Sequence, residues 1–312
     1  MRRMMGSALL AAVLLSVAAF AVVAQGKSFT DWQAAKKLDE VGGNNSELNT
    51  TSLDGCPIQA PDGRSLFMAS NRPGGKGLLD IWVARRQRAQ DPWGAPENLG
   101  EPVNSAADDF CPTPIKGDGL FFVSREVLPG ACGAGDIYFT RWSRQGGWSE
   151  PVHLGCAPDG PNSPLDEQGP SYVESGKRGA LYFSRSSPTV SGEIYVAGGL
   201  AGQDFGRAAP VGSLNDAAAN DIQPNVRSDR LEVVFSSNRT GTFGGQDIWV
   251  ATREKTDDPW GSPVNLGPAV NSAASESRPS LSGHARTLLF GRVPGPEGSS
   301  DIYVTSRRPG RR

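Results

Sequence analysis

The chain repeats itself with a period near 55 residues. Asp80-Ile81-Trp82 recurs as Asp136-Ile137-Tyr138, Glu193-Ile194-Tyr195, Asp247-Ile248-Trp249 and Asp301-Ile302-Tyr303, at steps of 56, 57, 54 and 54 residues. A fixed period of this size means that each unit is one supersecondary block, too small to bury its apolar face alone, which must pack on its neighbours. The period constrains the architecture before any single residue is weighed.

Every unit carries the same order of signals. It opens on an x-Pro step: Cys56-Pro57, Cys111-Pro112, Gly169-Pro170, Gln223-Pro224 and Arg278-Pro279. A turn such as Pro61-Asp62-Gly63 or Ser282-Gly283-His284 follows, with residues suited to a tight reversal. Next come an apolar run (Leu66–Ala69, Leu120–Val123, Leu181–Ser184, Val233–Ser236, Leu288–Gly291), a Gly/Pro-rich loop and the Asp-Ile-Trp/Tyr strand. A Trp-x-x-Pro-x-x-Leu segment closes the unit at Trp93–Leu99, Trp148–Leu154 and Trp260–Leu266, with Phe205 in its place in the less regular third unit. Short, evenly spaced strands with one aromatic motif per unit predict an all-β fold: a five-bladed β-propeller of four-stranded antiparallel blades.

The termini complete the count. The fifth unit reaches Arg312 without an outer strand, whereas Trp32–Leu38 repeats the Trp-to-Leu frame, and Asn45-Ser46 echoes Asn104-Ser105 and Asn271-Ser272. Residues 29–46 are expected to supply the missing strand, so that the N-terminal strand pairs with the C-terminal blade and no sheet edge stays open. Blade limits are placed near 56–110, 111–168, 169–222, 223–277 and 278–308, with 29–55 belonging to the last blade. Ahead of them, Arg2 and Arg3 precede an apolar run from Ala8 to Val23, and Val22-Val23-Ala24 offers a cleavage site before Gln25. Residues 1–24 therefore read as a signal peptide. A single propeller domain over 25–312 is expected, periplasmic or secreted, monomeric and without a transmembrane segment after cleavage. A net charge of -2 gives no electrostatic footprint for nucleic acid.

The motif Trp-Gly-x-Pro-x-Asn-Leu-Gly-x-x-Val-Asn-Ser at Trp93–Ser105, Ser-Asn-Arg at Ser70–Arg72 and Ser237–Arg239, and Asp-Ile-Trp-Val-Ala-x-Arg at Asp247–Arg253 resemble the WD40-like propeller repeat PD40 of TolB-type proteins. The resemblance spans essentially the whole chain after residue 24. It implies an exported propeller used as a binding scaffold, although the N-terminal α/β domain of TolB is lacking and five units replace six.

Two columns of charge accompany the repeat. Three residues before each x-Pro proline stand Asp54, Asp109, Glu167, Asp221 and Glu276. Placed where the chain enters the innermost strand, they offer an axial ligand-binding ring for a cation or a basic peptide. Arg72, Arg125, Arg185, Arg239 and Arg292 follow the second strand on the same face, so the two columns also read as one structural ion pair repeated in every blade, the favoured alternative. The Asp of the Asp-Ile step lacks the alternating ligand pattern of a calcium loop and is read as a turn cap. The Trp column (Trp32, Trp93, Trp148, Trp260) reads as inter-blade packing before sugar stacking.

Residues that carry catalysis are sparse. His153 and His284 are the two histidines, and neither has a partner at metal-ligand spacing. A Gly-x-Ser-x-Gly elbow is absent, as is a glycine loop leading into a helix. No metal, cofactor or catalytic residue is assigned. The cysteines Cys56, Cys111, Cys132 and Cys156 are disulfide candidates in an oxidising compartment. Of three possible pairings, Cys56–Cys111 with Cys132–Cys156 is the one expected. The resemblance and the lack of a catalytic constellation lead to a non-enzymatic protein that binds a protein, peptide or glycan in the cell envelope. The alternative is a glycoside hydrolase with an axial carboxylate pair.

Overall fold

The computed structural model describes residues 29–310 apart from 128–129, 176–177 and 203; residues 1–24, read above as a signal peptide, lie outside the described residues. Five antiparallel sheets form the five blades of a propeller. The first runs outward through Asp54–Gln59, Ser65–Ser70, Asp80–Arg85 and Glu97–Asn98. The third and fourth blades repeat this order. The fifth runs Ser275–Leu281, Thr287–Val293 and Asp301–Ser306, and its outer strand is Lys36–Lys37, paired as Lys36 with Val304 and Lys37 with Tyr303. The chain thus closes on itself as the Trp32–Leu38 frame predicts. Blade two carries an additional short strand, Gly147–Trp148, which pairs with the far end of Asp136–Ser143.

The apolar second strands are buried along nearly their whole length because both their faces meet neighbouring blades. Five separate apolar clusters follow, each mainly at one junction between blades, such as Leu66, Met68, Trp82 and Trp93 against Leu289 and Ile302. This is how units that cannot stand alone share their cores. One asparagine per blade fastens the third strand. Asn49, Asn104, Asn162, Asn215 and Asn271 each accept from the N–H and donate to the carbonyl of the isoleucine in the Asp-Ile or Glu-Ile step, at 2.6–3.2 Å. In the closing blade that residue is Asn49. The Asn45-Ser46 echo is therefore displaced by four residues, and Asn45 instead caps a 3-10 turn over Ser46–Leu48.

The x-Pro step is not the start of a strand but a bulge inside the inner one. Pairing slips there in all five blades, between Gly55 and Ile58 in the first. Cys56, Cys111, Gly169, Gln223 and Arg278 take φ of 49–58°. Proline lacks a donor for the ladder and is tolerated in a strand at such a bulge. The left-handed residues before the prolines form the innermost ring of the molecule.

Candidate functional site

That ring is the waist of the axial channel. The cavity around Cys56, Cys111, Gly169, Gln223 and Arg278 holds only about 30 Å³, room for one water. Arg278 reaches across it from blade five to hydrogen-bond Cys56 Sγ through Nη1, and lies 5.5 Å from the Phe110 ring. Burial pushes the Cys56 thiol well up. At Cys111 burial acts in the same direction, but a hydrogen bond with Cys56 and the Arg278 charge outweigh it and lower the thiol below its ordinary range. Cys56 and Cys111 are both free, which corrects their expected pairing. Cys132 and Cys156 are joined, with Cα atoms 5.8 Å apart.

The five ring acids lie beside this waist and are sealed. Asp54, Asp109, Glu167, Asp221 and Glu276 are at most 1% exposed. Four meet the arginine of their own blade: Arg72–Asp54 at 2.5 Å, Arg185–Glu167 at 2.8 Å, Arg239–Asp221 at 2.5 Å and Arg292–Glu276 at 2.7 Å. Each also accepts from a backbone N–H four or five residues upstream, as Asp54 does from Thr50. Blade two departs from the pattern. Arg125 turns to Asp108 at 3.1 Å and to Asp166 of the next blade at 2.8 Å, so Asp109 has no arginine partner among the described residues. Burial pushes Glu167 up to about 7 despite hydrogen bonds from Ser163 and Arg185, and raises Asp109 and Glu276 as well.

The Asp-Ile aspartates cap loops. Asp80 accepts from Lys76 N at 2.5 Å, Gly77 N at 2.9 Å and Asn98 Nδ2 at 2.8 Å. The glycine next to it serves close packing, since a Cβ on Gly77 would come within 2.0 Å of the Ala107 carbonyl in the following blade. Asp247 repeats the arrangement with Phe243 N and Asn265. In blade two His153 replaces that asparagine. Its Nδ1 accepts from Gly155 N at 3.1 Å, which leaves Nε2–H to donate to Asp136 at 3.0 Å. Nε2 also lies 3.7 Å from Cys132 Sγ, so His153 and both bonded cysteines stand together. The disulfide uses the two thiolates such a cluster would offer to a metal.

Beyond the waist the channel opens into a funnel of about 560 Å³, reached from the face that carries the hairpins between first and second strands. Its wall includes Asp62 of blade one, Lys116 of blade two, Tyr172 and Glu174 of blade three, Arg227 of blade four and His284 of blade five. Asp62 and Glu174 are exposed and are the two carboxylates of this lining. Asp62 accepts from Arg64 N at 2.9 Å and Arg64 Nε at 3.3 Å. Arg227 is held in place by Asp229 and Glu232. Of these wall residues, Asp62 and His284 lie in the turns read from the sequence, and the other four carry no reading there. The acid of Pro61-Asp62-Gly63 is absent from Ser282-Gly283-His284 but recurs in blade four as Asp229, which accepts from Leu231 N as Asp62 does from Arg64 N. Only Glu174 stands out by not repeating, its place being taken by Pro61 in blade one and Ser228 in blade four.

No family model and no curated relative matches the chain. Solved structures do match. An α-L-arabinofuranosidase from Lactobacillus brevis aligns over 83% of this chain and 90% of its own, with a TM-score of 0.52 and 14% identity. The α-L-arabinofuranosidase of Podospora anserina, solved in complex with cellotriose, aligns over 89% and 97%, with a TM-score of 0.54 and 11% identity. A xylan β-1,4-xylosidase from Bacillus halodurans covers 84% of this chain and 53% of its own, with a TM-score of 0.55 and 13% identity. At such identities the shared property is the fold. These neighbours are glycoside hydrolases, which corrects the resemblance to PD40 and TolB-type propellers. The expectation of a non-enzymatic binding protein, built on that resemblance, is corrected with it.

Proposed function

We propose that this chain is a glycoside hydrolase that takes its glycan into the wide mouth of the axial funnel and cleaves it between Asp62 and Glu174. The observation that carries the reading is an open cavity of about 560 Å³ with two exposed carboxylates in its wall, in a fold shared with glycosidases. A cavity of this size suits one or two sugar rings. Glycoside hydrolysis needs one carboxylic acid to protonate the leaving oxygen and one carboxylate to activate water or attack the sugar. The sealed ring acids offer neither, because solvent and substrate do not reach them.

Asp62, held by Arg64, is cast as the base, and Glu174 as the acid. They stand on blades separated by all of blade two, so this pairing commits to the inverting mechanism, which needs a carboxylate spacing of about 6.5–9.5 Å. Arg278 closes the funnel floor, which leaves a blind site in which a sugar is held and not threaded. Export of the protein to meet an extracellular or envelope glycan belongs to the same proposal.

The test is a panel of 4-nitrophenyl α-L-arabinofuranoside, 4-nitrophenyl β-D-xyloside, xylo-oligosaccharides and arabinoxylan fragments, with product anomers followed by NMR. Turnover with inversion is expected, falling by about 10²-fold or more in Asp62→Asn and Glu174→Gln with unfolding curves unchanged. A wild type inert on the whole panel, or variants as active as the wild type, would overturn the assignment.

A further inference from the structure

Six residues after the acid of each repeat step stand Arg86, Trp142, Gly199, Arg253 and Arg307. The three arginines do the same work. Arg86 lies 3.8 Å over Trp93, Arg253 4.1 Å over Trp260, and Arg307 4.4 Å over Trp32. Each also donates through Nε to a hairpin carbonyl at 2.8 Å, those of Gly63, Arg230 and Ala285. The clamp pins the outer-strand tryptophan to its blade, and Trp93 and Trp260 are 6% and 5% exposed.

Blade two gives this device up. Trp142 occupies the arginine position, and the neighbouring Arg141 takes over the carbonyl, donating to Gly117 at 2.5 Å. Trp142 is then free of structural duty. It is 39% exposed and pairs across the additional short strand with Trp148, which like Trp32 is a half-buried member of the tryptophan column. Both indoles line a second cavity of about 530 Å³ between blades one and two, together with Asp118, Arg85 and Asp62. Asp62 and Lys116 also belong to the funnel wall. Groove and funnel therefore meet at the proposed catalytic carboxylate.

We propose that this groove is an outlying sugar subsite, in which a ring of an oligosaccharide stacks on Trp142 while Asp118 and Arg85 take its hydroxyls. The inference rests on the hydrolase reading for its direction, since a chain cleaved at Asp62 would leave by this groove. Its chemistry stands independently. An aromatic face suits the apolar C–H face of a sugar, and a carboxylate with a guanidinium at its edge suits paired hydroxyls. The groove is too polar at Asp62, Asp118, Lys116 and Arg85 for an apolar helix.

Binding of xylohexaose and cellohexaose to the full propeller, followed by calorimetry and by tryptophan fluorescence, tests it. The wild type is expected to bind at least one of them with a fluorescence change. Trp142→Ala is expected to weaken that binding about tenfold or more, as loss of one stacked ring would, and Asp118→Asn to weaken it less. In turnover, Trp142→Ala raises KM for the hexaose and leaves KM and kcat for the 4-nitrophenyl glycosides unchanged. Binding lost in Trp142→Ala by a protein that hydrolyses nothing would keep the subsite and remove the hydrolase. Unchanged binding in Trp142→Ala, or no binding of either hexaose by the wild type, would overturn the subsite.

Discussion

Blade four and blade two are built from the same repeat, yet one obeys it throughout and the other breaks it at four places. In blade four, Arg239 meets Asp221, Asn265 meets Asp247 and Arg253 covers Trp260. In blade two, Arg125 leaves Asp109 for Asp108 and Asp166, His153 stands for the asparagine, Trp142 stands for the clamp arginine, and Cys132 is joined to Cys156. A residue shared by every blade is bound to holding the blade together. Where blade two drops such a residue, a neighbour or a disulfide takes over the work and a side chain is released. The contrast thus shows where a side chain such as Trp142 is released from holding its blade.

The ion pairs should show the contrast most strongly. Arg239→Met leaves Asp221, fully buried, without its charge partner, and removing one member of a buried pair costs about 3–5 kcal/mol. In blade two the Arg125 side chain is 36% exposed, so Arg125→Met should cost about 1 kcal/mol or less. Urea unfolding of the two variants measures both. Equal losses would mean that the Arg125 pairs hold their blade as firmly as the Arg239–Asp221 pair holds blade four.

The disulfide comes next. Cys132 and Cys156 are 24 residues apart, and a loop of that size predicts about 3 kcal/mol of stabilisation from a constrained unfolded chain. The Cys132→Ser/Cys156→Ser double variant should lose that amount, and denatured wild type should titrate two free thiols before reductant is added, those of Cys56 and Cys111. Four thiols would remove the staple from blade two and restore the three-residue cluster with His153 as a metal candidate.

A gentler effect comes from the blade that Arg125 reaches into. Glu167 keeps its proton up to about 7 in the folded protein against an ordinary value of 4.5. The folded state therefore holds this proton over a window in which the unfolded chain has released it. Its contribution to stability is complete below about pH 4.5 and is lost as pH rises through about 7. Glu276 and Asp109 are raised by burial too and act in the same sense. Thermal unfolding between pH 5 and 8 should show Tm falling with pH, with a shallower slope in Glu167→Gln. An unchanged slope would assign the fall elsewhere.

What the sequence reveals of this molecule follows the same division. The five-fold period, the strand order and the closure through Trp32–Leu38 are legible because each is stated several times over. Asn49 is missed because the closing blade inserts residues between Leu38 and its asparagine, and a nearer Asn-Ser pair imitates the motif. The bulge at Cys56 and its four equivalents is hidden because x-Pro also marks strand starts; only pairing register separates the two. Asp62, Glu174 and Trp142 are hard to see for another reason. Repeat reasoning weighs what recurs: it reads Asp62 as one more turn residue beside Asp229, and it passes over Glu174 and Trp142 because neither recurs.

Trp142 gives the smallest effect on stability and the sharpest use of the contrast. Arg253→Ala removes a cation–π contact and the hydrogen bond to the Arg230 carbonyl, and leaves Trp260, 5% exposed, without its cover. The summed loss should be about 1–2 kcal/mol. Trp142→Ala at the same repeat position removes a half-exposed ring whose hairpin carbonyl is already satisfied by Arg141, and should fall within about 0.5 kcal/mol of wild type. If Trp142→Ala costs as much as Arg253→Ala, the tryptophan is a structural substitute for the arginine and the groove loses its reason to exist. If it costs nothing, an exposed indole is being kept at a position where three other blades keep an arginine, and stability is not what keeps it there.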